Sequence, residues 1–115
     1  MDATDAEAAC FEAGIKFGTL YHQFAGTPVS PDSADSLARA IEKSIENQPH
    51  CESVDVDILP ERLDTTHGYC ELTGDHMEVT VVVEYEGRRV RTRMEMEDGY
   101  PLMKLVEVEA DGGGN

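Results

Sequence analysis

Residues 77–97 read MEVTVVVEYEGRRVRTRMEME, and this stretch gives a strong signal for β-strands. In both halves apolar residues alternate with polar ones, which is the period of a β-strand with one buried face. The dipeptide Glu86-Gly87 between the halves is typical of a tight hairpin turn. The stretch therefore predicts two antiparallel strands, Met77 to Tyr85 and Arg88 to Glu97, whose inward side chains are those of Val79, Val81, Val83, Tyr85, Val90, Thr92, Met94 and Met96.

Further strands are predicted on both sides of this hairpin. Apolar residues alternate with aspartates from Val54 to Ile58, which predicts a half-exposed strand. A turn over Asp98 to Pro101 leads into a predicted last strand, Leu102 to Val108. The polar stretch from Glu61 to His76 is too long for a simple turn, so it is a candidate functional loop, with a short strand expected around Tyr69 to Leu72.

Two helices are predicted ahead of the strands. From about Ala3 to Phe24, apolar residues recur at three- and four-residue steps, in a stripe of Cys10, Gly14, Phe17, Tyr21 and Phe24 that Ala13 and Leu20 widen. A second helix is expected to begin at Ser30 or Asp32, with Pro31 in its first turn, and to end at Asn47 to Pro49. Its buried stripe would consist of Leu37, Ala38, Ile41 and Ile45, and its wet face of Arg39, Glu42, Lys43 and Glu46.

This order of elements predicts a segregated α+β fold: two N-terminal helices packed on one face of a mostly antiparallel sheet of about four strands. A length of 115 residues suits one domain. Residues 1–115 are therefore predicted to form a single domain, with residues 110–115 as a flexible tail. The opposite face of the sheet carries alternating arginines and glutamates, so it is expected to be wet or to form an interface.

Charge excludes several classes of partner. The chain has 24 Asp and Glu against 9 Lys and Arg, a net charge of −15. Such a surface repels nucleic acid and anionic membranes, and it serves solubility or suits a salt-rich cytoplasm. No segment approaches the roughly 20 apolar residues of a membrane span. The acidic N-terminus lacks the basic start of a signal peptide, so a cytoplasmic location is predicted.

The first helix contains residues that could carry chemistry. Gly14 and Gly18 lie one turn apart, and each costs about 1 kcal/mol relative to alanine. That cost suggests close approach of another backbone or a ligand, either by packing against the sheet or at a subunit interface.

Glu12 lies among apolar neighbours, so it must form a salt bridge, with Lys16 one turn on, or bind something else. His22 is either a packed residue or a catalyst, and about 15 Å of helix separates it from Glu12, so only a ligand or a neighbouring subunit could bridge them.

Other groups give weaker signals. Cys51 and Cys70 lie near His50 and His67, which makes a metal or nucleophile site conceivable, but their spacing fits no known pattern. Cys10 is expected to be a small buried hydrophobe. The arginines between positions 88 and 93 could bind phosphate or RNA, although cross-strand pairing with glutamates is favoured. The sequence contains no phosphate-binding loop, dinucleotide-binding, zinc-protease or nucleophile-elbow motif.

Residues 11–30, FEAGIKFGTLYHQFAGTPVS, resemble the signature of a small archaeal family, that of the dihydroneopterin aldolase of methanopterin biosynthesis. The rest of the chain is similar in length and element order, with a second helix ending near Gln48 and a late Tyr100-Pro101 turn. The resemblance implies a retro-aldol enzyme that splits 7,8-dihydroneopterin into 6-hydroxymethyl-7,8-dihydropterin and glycolaldehyde. It also implies an oligomer of four subunits with sites between them.

The same resemblance implies the site residues. Glu12, His22 and Gln48 would bind the pterin substrate, and Tyr100 and His22 would be catalytic. Glu12 would accept two hydrogen bonds from the 2-amino group and N3–H, and Tyr100 would shuttle protons between the 2′-hydroxyl and the enamine carbon. The C=N bond of the pterin ring would serve as the electron sink, so the resemblance implies neither metal nor other cofactor.

A different class of protein is the alternative. A non-catalytic pterin- or purine-binding protein, or a plain assembly subunit, could keep the same pocket. A Tyr100 held away from Glu12 in every subunit arrangement would favour this interpretation. RNA binding through the arginine-rich strand is disfavoured by the net charge of −15.

Overall fold

The computed structural model describes residues 2–109 of the chain. The elements follow the predicted order of two long helices and then antiparallel strands, which confirms the α+β class. In chain order they are α1 (Asp5–Phe24), β1 (Pro28–Val29), α2 (Ala34–Glu46), β2 (Cys51–Ile58), β3 (Cys70–Glu71), β4 (Met77–Tyr85), β5 (Arg88–Glu97) and β6 (Tyr100–Val108), with 3₁₀ turns at Pro60–Arg62 and Gly74–His76. The predicted tail, residues 110–115, lies outside the described residues.

The β4–β5 hairpin is the centre of the main sheet and has the predicted bounds. The two strands pair antiparallel from Val79 opposite Met94 to the turn. Glu86 and Gly87 both have positive φ, 51° and 82°, and this gives the two-residue turn the twist of its strands. Strands β2 and β6 pair antiparallel on either side, so the sheet has the order β2-β4-β5-β6.

The turn before β6 is shorter than predicted. Asp98 and Gly99 have φ values of 53° and 80°, so they form a two-residue turn like the first one. Tyr100 and Pro101 therefore belong to β6, with Tyr100 opposite Glu97. The prediction of a four-residue turn was wrong because Asp-Gly alone reverses the chain. A proline, which cannot donate a ladder hydrogen bond, is tolerated on an edge strand such as β6.

Helix α1 packs on the sheet with most of the predicted stripe, since Ala13, Phe17 and Leu20 are buried and Tyr21 and Phe24 pack against the core. Its buried residues are Ala9, Ala13, Lys16, Phe17 and Leu20, and they contact the inward valines of β4 in one core. Gly14, by contrast, is exposed, and Cys10 is half-buried rather than fully buried. Alanines at positions 9 and 13 let the helix backbone approach the sheet closely, which fixes the rotation of the helix. Upstream, Thr4 and Glu7 form a reciprocal capping box that starts the helix.

Helix α2 begins at Ala34 after the cap residue Ser33, which is one residue after the predicted cap Asp32 and three after the alternative Ser30. Ser30 and Ser33 form a separate turn, in which the Ser33 amide donates to the Ser30 carbonyl at 3.1 Å and the Ser30 amide donates to the Ser33 Oγ at 3.0 Å. Pro31 lies in this turn, and Ser33 is the residue before the helix. The buried stripe consists of Ala34, Ala38, Ile41 and Ile45, with Leu37 half-buried.

The charged side chains of α2 close the β2 edge of the sheet. Arg39 Nη2 donates to the Val56 carbonyl at 2.8 Å, and the Val56 amide donates to Glu42 at 2.9 Å. The Val54 amide donates to Glu46 at 3.0 Å. These side chains were expected to form only a wet face, but they satisfy the backbone of an edge strand. The β6 edge differs, because its exposed side chains include those of Leu102, Met103, Leu105, Val106 and Val108.

The long segment between β2 and β4 contains the predicted short strand. Cys70 and Glu71 pair with Val29 and Pro28 in a separate two-stranded sheet. The partner strand β1 lies in a segment that was predicted only to break the first helix. No helix within residues 2–109 is long and apolar enough to cross a membrane.

Candidate functional site

Glu12 lies in the middle of α1, where its carboxylate forms an ion pair. Lys16, one turn further on, is only 3% exposed, and its Nζ donates to Glu12 Oε1 at 2.8 Å. The hydrogen bond from Lys16 lowers the pKa of Glu12 below its ordinary value, partial burial acts in the opposite direction, and the charges of Lys16 and His50 add to the lowering. Glu12 is therefore a carboxylate at neutral pH.

The loop between α2 and β2 lies beside this ion pair. Gln48 is half-buried there, and its carbonyl accepts the Cys51 amide at 3.3 Å. His50 has a φ of 68°, in the left-handed region, and its ring meets that of Tyr85 edge-on with the centroids 4.9 Å apart. Burial, aided by Glu46, raises the pKa of the Cys51 thiol, so this thiol is a poor nucleophile. The term carboxylate cluster is used below for Glu12, Lys16 and His50.

Tyr100 lies in a groove of its own, called the tyrosine groove below. Tyr100 is 64% exposed, and it lines this groove of about 600 Å³ together with Tyr21, Asp75 and Pro101. The Tyr21 hydroxyl accepts the Gly74 amide at 3.3 Å. The buried Gly74 packs so closely on Pro101 that an added Cβ would lie 2.6 Å from the Pro101 Cβ. The shape of the groove therefore depends on glycine at position 74.

The carboxylate cluster and the tyrosine groove lie near opposite ends of the main sheet. His50 contacts Tyr85, which ends β4 at the hairpin turn and so lies beside the start of β5. Tyr100 lies opposite Glu97, at the other end of β5. Strand β5 has ten residues, which at about 3.4 Å each span roughly 30 Å. On helix α1, Tyr21 lines the tyrosine groove nine residues after Glu12, which is about 14 Å along the helix axis. A single chain therefore does not bring Glu12 into contact with Tyr100.

His22 faces a third surface, the outer side of α1. Together with Gly14, Gly18 and Thr19 it lines a shallow groove of about 750 Å³. A Cβ added at either glycine would meet no atom within 4 Å in the described chain. One of the two explanations offered for glycine at these helix positions was close packing against the sheet, and this explanation is wrong. The glycine face of α1, meaning Gly14, Gly18 and His22, is open to a ligand or to a second subunit.

The other candidate groups are the arginines of β5 and the Cys/His pairs. Three arginines of β5 form salt bridges of 2.9 to 3.7 Å, namely Arg89–Glu52, Arg91–Glu107 and Arg93–Glu78. Pairing was expected with Glu84, Glu86, Glu95 and Glu97, and Arg93 also forms a salt bridge of 2.7 Å with Glu95. The pairing interpretation is confirmed, although the other glutamate partners differ from the expected ones. No group of three or more His, Cys, Asp or Glu residues within the described range could hold a metal, so the Cys/His interpretation has no support there.

The fold and these surfaces define a small α+β protein with an ionised, half-buried carboxylate on its first helix and candidate site residues at both ends of one sheet. The chain belongs to the dihydroneopterin aldolase family, whose model matches residues 4–106. That range includes all four predicted site residues. The family membership predicted from residues 11–30 is thus confirmed.

Similar proteins cover nearly the whole chain. A Methanopyrus kandleri protein named dihydroneopterin aldolase is 40% identical over 109 residues, which is 91% of this chain and 90% of that protein. A Picrophilus torridus protein of the same name is 34% identical over 111 residues, 94% of this chain and 92% of that one. A crystal structure of a P. torridus protein superposes with a TM-score of 0.82 and 33% identity, covering 93% of this chain and 92% of that chain.

The structure adds residues that sequence reasoning did not connect to a site. His50 was noted only for its cysteine neighbour, and its positive φ and proximity to Glu12 were not predicted. Tyr21 and Asp75 line the tyrosine groove, and the sequence gives no signal for either. Lys16 had a signal, since it stands four residues after Glu12, but its near-complete burial depends on the rotation of α1.

Proposed function

We propose that this chain is the subunit of a dihydroneopterin aldolase, which splits 7,8-dihydroneopterin into 6-hydroxymethyl-7,8-dihydropterin and glycolaldehyde. The observation that carries the proposal is the ionised, half-buried Glu12 on a helix that lies within the matched family range. Two relatives that bear the name of this enzyme, at 34% and 40% identity, support it.

Glu12 is proposed to recognise the pterin ring. The 2-amino group and N3–H of a pterin form a donor–donor edge, which a carboxylate can accept with both oxygens. Oε1 is shared with Lys16, whereas Oε2 takes no hydrogen bond from the described residues. A carboxylate also rejects the acceptor edges of related rings, so Glu12 would give specificity as well as affinity.

The chemistry requires proton transfers and an electron sink. Cleavage of the C1′–C2′ bond leaves electrons that the C=N bond of the dihydropterin ring can accept, so we propose a metal-independent reaction without a cofactor. Tyr100 would take the proton of the 2′-hydroxyl and return one to the enamine carbon, directly or through water. His22 and Gln48 would hold the side-chain hydroxyls or that water.

The site is proposed to lie between subunits. Glu12 and Tyr100 lie near opposite ends of the sheet, so a site that contains both must take them from different chains. The β2 edge is closed by α2, whereas β6 and the glycine face of α1 are exposed surfaces available for contact with a second copy. We propose an oligomer of four such subunits, in which several surfaces of each chain are buried.

The free thiols and the net charge support a proposal for the cellular location and partners. Cys10, Cys51 and Cys70 are free thiols, as expected in a reducing compartment. The net charge of −15 disfavours nucleic acid and anionic membranes as partners. We therefore propose a cytoplasmic enzyme of an archaeal methanopterin pathway, with the pterin and further copies of the chain as its partners.

Anaerobic incubation of the pure protein with 7,8-dihydroneopterin tests the proposal. Both products, 6-hydroxymethyl-7,8-dihydropterin and glycolaldehyde, are expected in equal amounts, and their formation should survive a metal chelator. Glu12→Gln is the matched variant, because it keeps the size of the side chain and removes the charge. A folded wild-type protein that makes no product would contradict the proposal.

The alternative function is a non-catalytic pterin- or purine-binding protein. It is favoured by one observation, the separation of Tyr100 from Glu12 within the chain. A protein that binds neopterin through Glu12 and yields no glycolaldehyde would establish this function in place of the aldolase.

A further inference from the structure

Lys16 is unusual among the residues of α1. Lysine is almost never fully buried unless it is paired, and Lys16 is 3% exposed between the core residues Ala13, Phe17 and Leu20. An apolar residue would fill the same position of the helix without desolvating a charge. The cost of burying an ammonium group therefore calls for an explanation beyond packing.

The partner of Lys16 supplies this explanation. The Lys16 Nζ donates to Glu12 Oε1 at 2.8 Å, and the lysine side chain is 4% exposed while that of Glu12 is 25% exposed. The ammonium thus lies beneath the carboxylate, on the protein side, and the carboxylate keeps contact with solvent. An ion pair with one member fixed in the core restricts the rotamers of the other member.

We propose that Lys16 is the positioning residue of the substrate-binding site: its buried ammonium holds Glu12 Oε1 so that the carboxylate is oriented to accept the donor–donor edge of a pterin. The inference rests on the proposed role of Glu12 in pterin binding. Lys16 would not touch the pterin, because it is buried behind the carboxylate. Its contribution is a fixed orientation and a fixed charge for Glu12 before the ligand arrives.

The surrounding charges give the proposal a pH signature. Lys16 from the same helix and His50 from the α2–β2 loop are the groups that lower the pKa of Glu12, and burial opposes them. A lowered pKa means that the carboxylate form, and with it pterin binding, is lost only when the pH falls below the ordinary range of a glutamate. Without the Lys16 charge the pKa of Glu12 rises, so binding would be lost at a higher pH.

Neopterin, which is oxidised and serves as a non-cleaved probe with the same ring edge, tests this inference by fluorescence titration from pH 3.5 to 8. The variant Lys16→Met keeps the length of the side chain and removes its charge. We expect about tenfold weaker binding at pH 7, the size of one lost charge-assisted interaction of about 1.4 kcal/mol, and an acid limb displaced to higher pH. In turnover of 7,8-dihydroneopterin, kcat/KM should fall more than kcat, since Lys16 acts on binding.

Three controls separate positioning from general destabilisation. Lys16→Arg restores the charge and should bring the acid limb back to its wild-type position. The double variant Glu12→Gln/Lys16→Met should bind neopterin no more weakly than Glu12→Gln alone, because both substitutions remove the same interaction, that of the oriented Glu12 carboxylate with the ligand. Lys43→Met removes an exposed lysine of α2 and should leave binding unchanged. Should Lys16→Met fail to fold, Lys16→Gln, which keeps an N–H donor without a charge, takes its place with the same expected displacement.

The outcomes distinguish the two proposals. A wild-type protein that does not bind neopterin overturns both the proposed function and the role of Lys16. A wild-type protein that binds, a Glu12→Gln variant that does not, and a Lys16→Met or Lys16→Gln variant with wild-type affinity and an unmoved acid limb would overturn the role of Lys16 alone.

Discussion

Replacement of Gly74 by alanine tests whether the tyrosine groove places Tyr100 for catalysis. The new Cβ would lie 2.6 Å from the Cβ and 2.7 Å from the Cγ of Pro101, the residue after Tyr100. Ordinary carbon–carbon contacts begin at about 3.5 Å, so the start of β6 must move by about 1 Å. The clash involves a ring that is bonded to the backbone, and no side-chain rotation can relieve it.

The expected size of the effect follows from this displacement. Overpacking of this kind costs about 1–3 kcal/mol of unfolding free energy, which denaturant titration measures. A misplacement of about 1 Å in a catalytic group can cost about 100-fold in rate, so kcat should fall by that order while neopterin binding through Glu12 changes little. Single-turnover kinetics with 7,8-dihydroneopterin would measure the chemical step.

A double-mutant cycle with Tyr100→Phe shows whether the effect passes through Tyr100. If Gly74→Ala acts by moving Tyr100, it should have little further effect on kcat once the hydroxyl is absent. Near-normal turnover in a folded Gly74→Ala protein would show that Gly74 does not place Tyr100 for catalysis. So would a full additional loss in the Tyr100→Phe background, because it would place the effect elsewhere.

Three further predictions concern the other surfaces. Glu12→Gln should weaken neopterin binding at least tenfold at pH 7, as one charge-assisted recognition is worth about 1.5–3 kcal/mol; unchanged affinity in a fluorescence titration would remove Glu12 from the site. Tyr100→Phe should reduce kcat far more than neopterin affinity, and near-normal turnover would remove it from the mechanism. Gly18→Ala should raise the stability of the separate chain by about 1 kcal/mol but weaken the assembly, which light scattering at decreasing concentration can measure. Ser36→Ala, on the exposed side of α2, is its control. A Gly18→Ala protein that assembles as tightly as the wild type would contradict the proposal that the glycine face is buried between subunits.

The parts of the fold that were predictable rest on local signals. Strands β4 and β5 have the predicted bounds because a period of two residues and a two-residue turn agree with each other. For the start of α2, the predicted cap Asp32 is one residue from the observed cap Ser33. The alternative cap Ser30 was wrong because Ser30 and Ser33 bond to each other before the helix begins. Tyr100 was predicted to lie in a turn because the proline after it is typical of turns. The sequence does not show that β6 is an edge strand, where a proline is tolerated.

The arrangement of the site depends on contacts that no local pattern encodes. The pairing of Glu12 with Lys16 could be predicted from their spacing of four residues. The rotation of α1, which buries Lys16 and exposes Gly14, is set by how the alanines at 9 and 13 meet the sheet. The separation of Tyr100 from Glu12 follows from the register of β5 and β6, which the sequence does not specify.

The proposed catalytic site takes Glu12 and Tyr100 from different subunits, and mixing the subunits of two variants can test this arrangement. Glu12→Gln and Tyr100→Phe proteins are dissociated together, reassembled and assayed with 7,8-dihydroneopterin at a concentration well below the wild-type KM, where each parent protein is expected to have little activity. If the residues come from different chains, random mixing makes about a quarter of the sites intact, and activity should return to about that fraction of wild type. If the mixture, shown to contain hybrid oligomers, stays as inactive as its parents, the two residues do not meet across an interface and the shared site is contradicted.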